Sequence, residues 1–134
     1  MHLRVLLFGA ATSLLASCSQ SSITIPGFDA AAWQRDTRAC QNTRAKLLPP
    51  LDQHRQKLYG LSNGAVNGLL GHPDEEELEE QTQRIYYYYL DPGEQCQPGH
   101  PRSKARRLVL RFGALNTVTE VLYSTTPPIG KKAP

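Results

Sequence analysis

Four consecutive tyrosines, Tyr86 to Tyr89, flanked by Ile85 and Leu90, constrain the fold of this chain more than any other feature. Such a run favours extended structure and predicts a strand over Arg84–Leu90. Successive side chains of a strand point to opposite faces, so Tyr87 and Tyr89 lie opposite Tyr86 and Tyr88, and the four cannot share one core. Two more strands follow. Leu108–Phe112 reads Leu-Val-Leu-Arg-Phe, with Leu108, Leu110 and Phe112 on one face and Val109 and Arg111 on the other. Thr117–Tyr123 is rich in β-branched residues and is joined to its predecessor by the turn Gly113-Ala114-Leu115-Asn116. One tyrosine pair should pack with Leu108, Leu110 and Phe112. The other should lie on an open face near Arg107, Val109 and Arg111, where phenol rings and guanidinium groups stack. Tyr and Arg are over-represented at binding hot spots, which makes Tyr86, Tyr88, Arg107, Val109 and Arg111 the candidate partner-binding patch. The competing reading is an ordinary half-buried sheet whose tyrosine hydroxyls meet water.

Upstream, the pattern turns helical. Asp29 is placed to cap a helix beginning at Ala30. Trp33, Thr37, Cys40, Arg44 and Leu47 recur at steps of four, three, four and three, one helix face, and Pro49-Pro50 should end it. Leu51–Tyr59 reads as a further helical stretch stopped by Gly60. Ser62 caps another helix, with Val66, Leu69 and Leu70 as its buried stripe and Gly71 as its stop before Pro73. Helices followed by strands predict an α+β fold: a two-layer sandwich with two or three N-terminal helices packed on a three-stranded antiparallel β-meander. A chain of 134 residues has room for one such domain, expected over 28–124.

Residues 1–17 read as an export signal, with His2 and Arg4 as a basic start and an apolar stretch from Val5 to Leu15 too short to anchor stably. The stretch ends in Leu15-Ala16-Ser17-Cys18, which resembles the lipobox of bacterial lipoproteins. That resemblance implies cleavage before Cys18 and acylation of its thiol and amino group. Each chain contributes roughly 0.8 kcal/mol per buried CH₂, so several chains hold firmly where one is marginal. Ser19 after the cysteine implies outer-membrane sorting. Residues 18–27 then form a lipidated tether, and 125–134 a flexible tail.

Three cysteines in an exported chain leave an odd one. With Cys18 lipidated, Cys40 and Cys96 remain as a natural disulfide pair in an oxidising compartment, with a chain-entropy contribution of ~4 kcal/mol. The alternative is two free thiols or a metal site. A metal needs more ligands, and His54, His72 and His100 show no recognisable spacing to either cysteine.

The segment Gly60-Leu61-Ser62, with Val66 and then Leu70-Gly71-His72-Pro73, resembles the BamE (SmpA/OmlA) family of small outer-membrane lipoproteins. The aromatic strand, the Leu-x-Leu-x-Phe strand and the last strand around Val118 and Val121 continue the pattern over about 60–123. The resemblance implies a helix-on-sheet fold in the periplasm and a part in outer-membrane protein assembly. Related architecture occurs in secreted protein inhibitors of β-lactamases. The Trp33–Leu47 stretch, the Cys40/Cys96 pair and the 91–104 loop depart from the family pattern.

Enzyme classes find little support. The chain contains no His-Glu-x-x-His or phosphate-cradling glycine loop, and the Gly-x-Ser-x-Gly letters of Gly60-Leu61-Ser62-Asn63-Gly64 fall on Ser62, which reads as a helix cap. Six of the seven residues Asp74–Glu80 are acidic, but without the spaced oxygens and turn glycine of a calcium loop they read as a solvated charged face. This run leads into the first strand, whereas Arg102, Lys104, Arg106 and Arg107 lead into the second, which predicts an acidic and a basic pole at opposite ends of the sheet. A formal charge of +3 is too mild to argue for nucleic acid. The expectation is a non-enzymatic, lipid-anchored outer-membrane protein facing the periplasm, without metal or cofactor, that binds a protein partner. An inhibitor whose 91–104 loop enters a target cleft, and a structural lipoprotein, are the alternatives.

Overall fold

The computed structural model describes residues 22–79 and 83–126. The signal segment, Cys18 and residues 127–134 of the tail lie outside the described residues. Residues 22–27, expected as tether, belong to the packed body: Ile25 is buried in the main core and Ile23 packs against it.

Helix α1 (Ala30–Arg35) starts as its cap dictates, with Asp29 Oδ1 accepting the Ala32 N–H at 2.9 Å. The single helix expected from Trp33 to Leu47 is broken, and the cause is Asp36. Its buried carboxylate accepts the backbone N–H groups of Gln41 at 2.7 Å, Thr43 at 2.7 Å and Arg44 at 2.9 Å. One side chain thereby satisfies three donors, and the chain bends through a 3₁₀ turn at Thr37–Ala39 with Arg38, Ala39 and Asn42 at positive φ. Helix α2 (Arg44–Gln53) then runs through Pro49 and Pro50 instead of ending there. Proline's fixed φ is itself helical, so the cost is two missing N–H bonds and the crowding of each ring against the carbonyl four residues back. Continuing the helix buries Leu51 in the core. A 3₁₀ turn at Arg55–Lys57 leads to Gly60, which has φ +78°. Helix α3 (Asn63–Leu70) matches its sequence signals: Ser62 Oγ accepts the Ala65 N–H at 3.2 Å, and Gly71 closes it at φ +77°.

The sheet has four strands, not three: β1 (Glu75–Leu78), β2 (Arg84–Tyr89), β3 (Arg107–Phe112) and β4 (Val118–Ser124), antiparallel in sequential order. The extra strand is the acidic run, read from sequence as a solvated face. Glutamate is a poor strand former, but here the neighbouring strand supplies partners. Tyr87 and Tyr89 donate their hydroxyls to Glu77 and Glu75 at 2.8 and 2.7 Å, and Arg84 Nε stands 3.0 Å from Glu76. Charged side chains also guard this sheet edge against pairing with another strand.

The main core joins Trp33, Leu51, Leu58, Val66, Leu69 and Leu70 from the helical segments to Tyr86, Tyr88, Leu108, Leu110, Phe112, Val118 and Val121. Tyr86 and Phe112 meet edge to face at 4.8 Å, and the Tyr88 hydroxyl donates to the Gly71 carbonyl at 2.9 Å. Arg44, on the helix face that spacing assigns it, is buried over the Trp33 ring. It pairs with Asp74 at 2.5 Å and donates to the carbonyls of Trp33 and Tyr89 at 3.2 and 3.1 Å. This ion pair ties α2 to the start of β1 and the end of β2.

Candidate functional site

The register builds the second face of the sheet in three rows. Glu75, Tyr87, Val109 and Leu122 form one; Glu77, Ile85, Arg111 and Glu120 another; Tyr89, Arg107 and Ser124 the third. Arg107, Val109 and Arg111 therefore share a face opposite Leu108, Leu110 and Phe112, as alternation requires. Their aromatic company is Tyr87 and Tyr89. Tyr86 and Tyr88, expected in the partner-binding patch, lie in the main core and are 2% and 0% exposed.

That second face is not open. Ile85, Tyr87 and Val109 form a small buried cluster of their own. Above the third row folds the segment 91–106, which includes the 91–104 loop expected from sequence. Its 3₁₀ turn, Glu94–Cys96, carries the buried Gln95. Ser103 Oγ donates to Gln95 Oε1 at 2.5 Å and accepts the Ala105 N–H at 3.1 Å. Gln95 Nε2 reaches the carbonyls of Asp91 at 2.9 Å and Arg38 at 3.2 Å. Gly93 allows this close approach, since a Cβ there would stand 2.6 Å from Gln95 Oε1 and 3.0 Å from the Ala105 Cβ. The disulfide expected between Cys40 and Cys96 is present, with Cα atoms 5.6 Å apart, and it fastens this segment to the turn after α1. Arg38 adds a donor to the Pro101 carbonyl.

Beneath the segment, the Tyr89 hydroxyl donates to Glu75 Oε1 and accepts the Ser103 N–H at 3.2 Å. Burial, then the bond to Glu75, raises the Tyr89 pKa above that of a free phenol. The guanidinium groups of Arg38 and Arg107 stand 5.3 and 5.4 Å from the centre of the Tyr89 ring. Arg107 also lies 6.0 Å from the Tyr87 ring. It is 0% exposed, against the sequence expectation of an exposed arginine, because segment 91–106 and the two rings bury that end of the sheet. Its three guanidinium nitrogens have no hydrogen-bond partner among the described residues. Val109 is buried as well. Arg111 alone of the expected patch stays near the surface, with Glu79 at 3.1 Å and Glu120 at 3.4 Å.

The expected acidic and basic poles do not form. Because the acidic run doubles back along β2, Glu75 lies at the same end as Arg102, 3.4 Å away, and Arg84 and Arg111 face Glu76 and Glu79. Arg106 is matched by Asp91 at 3.0 Å. A cleft of about 590 Å³ opens between Gly93, Glu94 and the stretch Arg102–Ala105. Among the described residues no group of three or more metal-ligating side chains converges, and no helix is long and apolar enough to cross a membrane.

Sequence reading missed Glu75, Gln95 and Ser103. The one signal available was the β alternation that puts Tyr87 and Tyr89 on a common face: two such hydroxyls, once buried, need acceptors, and the acidic run is the nearest supply. Comparison of the chain with models of protein families, with curated proteins and with solved structures returns no match.

Proposed function

We propose that this chain is a non-enzymatic, lipid-anchored protein of the bacterial cell envelope that binds a protein partner, with service in outer-membrane protein assembly as the specific form. The observation that carries the reading is the cysteine pairing. With Cys40 joined to Cys96, Cys18 is the one cysteine left over, and it stands at the end of Leu15-Ala16-Ser17-Cys18 after a basic start and an apolar stretch. A structural disulfide belongs to an oxidising compartment, which agrees with export. Helical side chains filling one face of an antiparallel sheet support the two-layer, BamE-like arrangement that the Gly60–Pro73 segment resembles. The partner-binding surface is narrower than the sequence patch. It comprises Arg111 and Leu122, the latter 44% exposed, on the second face.

The inhibitor reading draws on a different observation: segment 91–106 is held at its base by the disulfide, Gln95 and Ser103, while Gln97–Arg102 stays exposed. A loop fixed before binding loses little entropy on docking.

Membrane fractionation tests the anchor. The full chain should incorporate labelled palmitate and stay with membranes after a high-salt wash, whereas Cys18→Ala should be soluble and equally folded. Retention of Cys18→Ala on washed membranes refutes the lipid anchor. A photo-crosslinker at Leu122 that captures barrel-assembly components supports the assembly reading. One at His100 that captures an envelope enzyme supports the inhibitor.

A further inference from the structure

The two edges of the sheet differ in kind. Strand β1 lines one edge with Glu75, Glu76 and Glu77, which repel a second copy of themselves. Strand β4, at the other edge, holds no lysine or proline, and its one charged residue, Glu120, is matched by Arg111. At the end of the β2–β3 ladder the Leu90 N–H donates to the Arg106 carbonyl at 2.8 Å. Alternation then turns the backbone groups of Arg107, Val109 and Arg111 toward β4, where they bond to Ser124, Leu122 and Glu120. Val121 and Tyr123 are left with N–H and C=O groups pointing outward, where no described backbone group meets them. This free stretch has definite ends. Gly60 and Leu61 already bond to the C=O and N–H of Val118, both at 2.9 Å, and Thr119 is a bulge skipped in the register with β3. At the other end Ser124 Oγ accepts the Thr126 N–H at 3.0 Å, and Pro127-Pro128 follow without an N–H to offer. What remains is Glu120–Ser124, with Leu122 at its centre.

We propose that β4 pairs antiparallel with β4 of a second copy of this chain, about a two-fold axis at Leu122. In that register Val121 of each copy exchanges its N–H and C=O with Tyr123 of the other, which uses every outward group of the stretch. Leu122 meets Leu122 in a non-hydrogen-bonded pair, the closer of the two kinds, and Glu120 faces Ser124 instead of another charge. Leu122 and Tyr123 are 44% and 38% exposed in the single chain, and they are the apolar surface that the pairing covers. The contact is isologous and closes on itself, whereas β4 on β1 repeats into an open filament. It also leaves the charged β1 strands at both ends of one continuous sheet. A single strand-to-strand contact is small, so the pair forms where copies are concentrated. It requires neither the lipid anchor nor a foreign partner.

Cysteine cross-linking of the full chain, by oxidised glutathione in extracts of the producing cells and after purification, tests the register. The Cα atoms of a non-hydrogen-bonded pair stand about 4.5 Å apart, within disulfide range. Leu122→Cys should therefore give a dimer whose link maps to position 122 in both chains, apart from any link through Cys18. Glu120→Cys alone should link several-fold less, because its counterpart lies about 13 Å away along the strands. Mixed with Ser124→Cys, it should link between the two chains. Leu115→Cys, 87% exposed in the turn between β3 and β4, reports random collision and should also link several-fold less than Leu122→Cys. Leu122→Lys sets a like charge opposite itself at an exposed position and should keep the parent Tm. Sedimentation equilibrium from about 10 µM to about 1 mM should show association of the parent and none of this variant. The proposal is overturned if Leu122→Cys links no more than Leu115→Cys, if Leu122→Lys associates like the parent, or if position 122 links to another protein in place of a second copy. It is overturned too if linkage at 122 appears only when residues 127–134 are deleted, which makes the chain's own tail the occupant of this edge.

Discussion

Asp36 offers the sharpest test of how the N-terminal half is built. Replacing it by Ala removes the acceptor for three backbone donors, the N–H groups of Gln41, Thr43 and Arg44. Hydrogen bonds to a charged group contribute roughly 1.5–3 kcal/mol each, so simple addition gives about 5–9 kcal/mol. That sum overstates the cost. Gln41 is exposed and Thr43 half-buried, so their donors reach water once the turn relaxes, and only the Arg44 N–H stays sealed. The expected loss for Asp36→Ala is therefore ~3–4 kcal/mol, a large part of the 5–15 kcal/mol typical of a domain. Asp36→Asn keeps one oxygen and should lose about half as much. Trp33, the single tryptophan, is fully buried three residues away and reports the transition by fluorescence in urea with the disulfide intact. A loss below ~1 kcal/mol for Asp36→Ala at unchanged m-value would refute the view that this carboxylate, and not helix propensity, sets the course of residues 36–44.

Other expectations follow from the same contacts. Replacing Cys40 and Cys96 together by Ser should cost ~4 kcal/mol for a loop with a sequence separation of 56, and hydrogen exchange should quicken over 92–105 before it does in β2 and β3. Burial and carboxylate contacts push the Tyr123 hydroxyl up to about 12 and those of Tyr87, Tyr88 and Tyr89 upward as well. A folded pKa above the unfolded value contributes stability that is complete below pH ~10 and is lost as pH rises through the folded value, so absorbance at 295 nm should show these four phenols ionising together with unfolding, not before it. Tyr88→Phe removes only the bond to the Gly71 carbonyl and should cost about 1 kcal/mol in urea unfolding.

The parts of the fold legible in sequence are those that local chemistry decides. Asp29 and Ser62 cap helices because an N-cap needs only a short oxygen-bearing side chain at the right backbone position. The three apolar strands follow from alternation and β propensity. What alternation cannot supply is which side chains the rest of the chain will cover. Strand β1 exists through Tyr87, Tyr89 and Arg84, partners that stand opposite it across the ladder. The break after α1 exists through a single carboxylate folding back on residues five to eight ahead. Arg107 was placed on the correct face by its position, yet its burial depends on segment 91–106, whose course depends in turn on Gln95, Ser103 and the disulfide.

These dependences link the second face to the compartment. Glu75, Tyr89, Ser103 and Gln95 form one chain of hydrogen bonds from the sheet to the segment above it, and Gln95 continues it to the Arg38 carbonyl. Each single bond is a net gain of only about 1 kcal/mol. Arg38 and Ala39 hold positive φ beside Cys40, a backbone state that costs non-glycine residues roughly 1 kcal/mol or more apiece. The covalent bond from Cys40 to Cys96 spans the same two segments as the weakest of these contacts and removes the entropy of bringing them together. An oxidising environment therefore favours the state in which Arg107 is enclosed, and under the proposed function it is the environment to which this chain is delivered. Under the proposed function the buried charge and the export pattern are parts of one arrangement: the sheet's second face is closed by a segment that the disulfide holds in place.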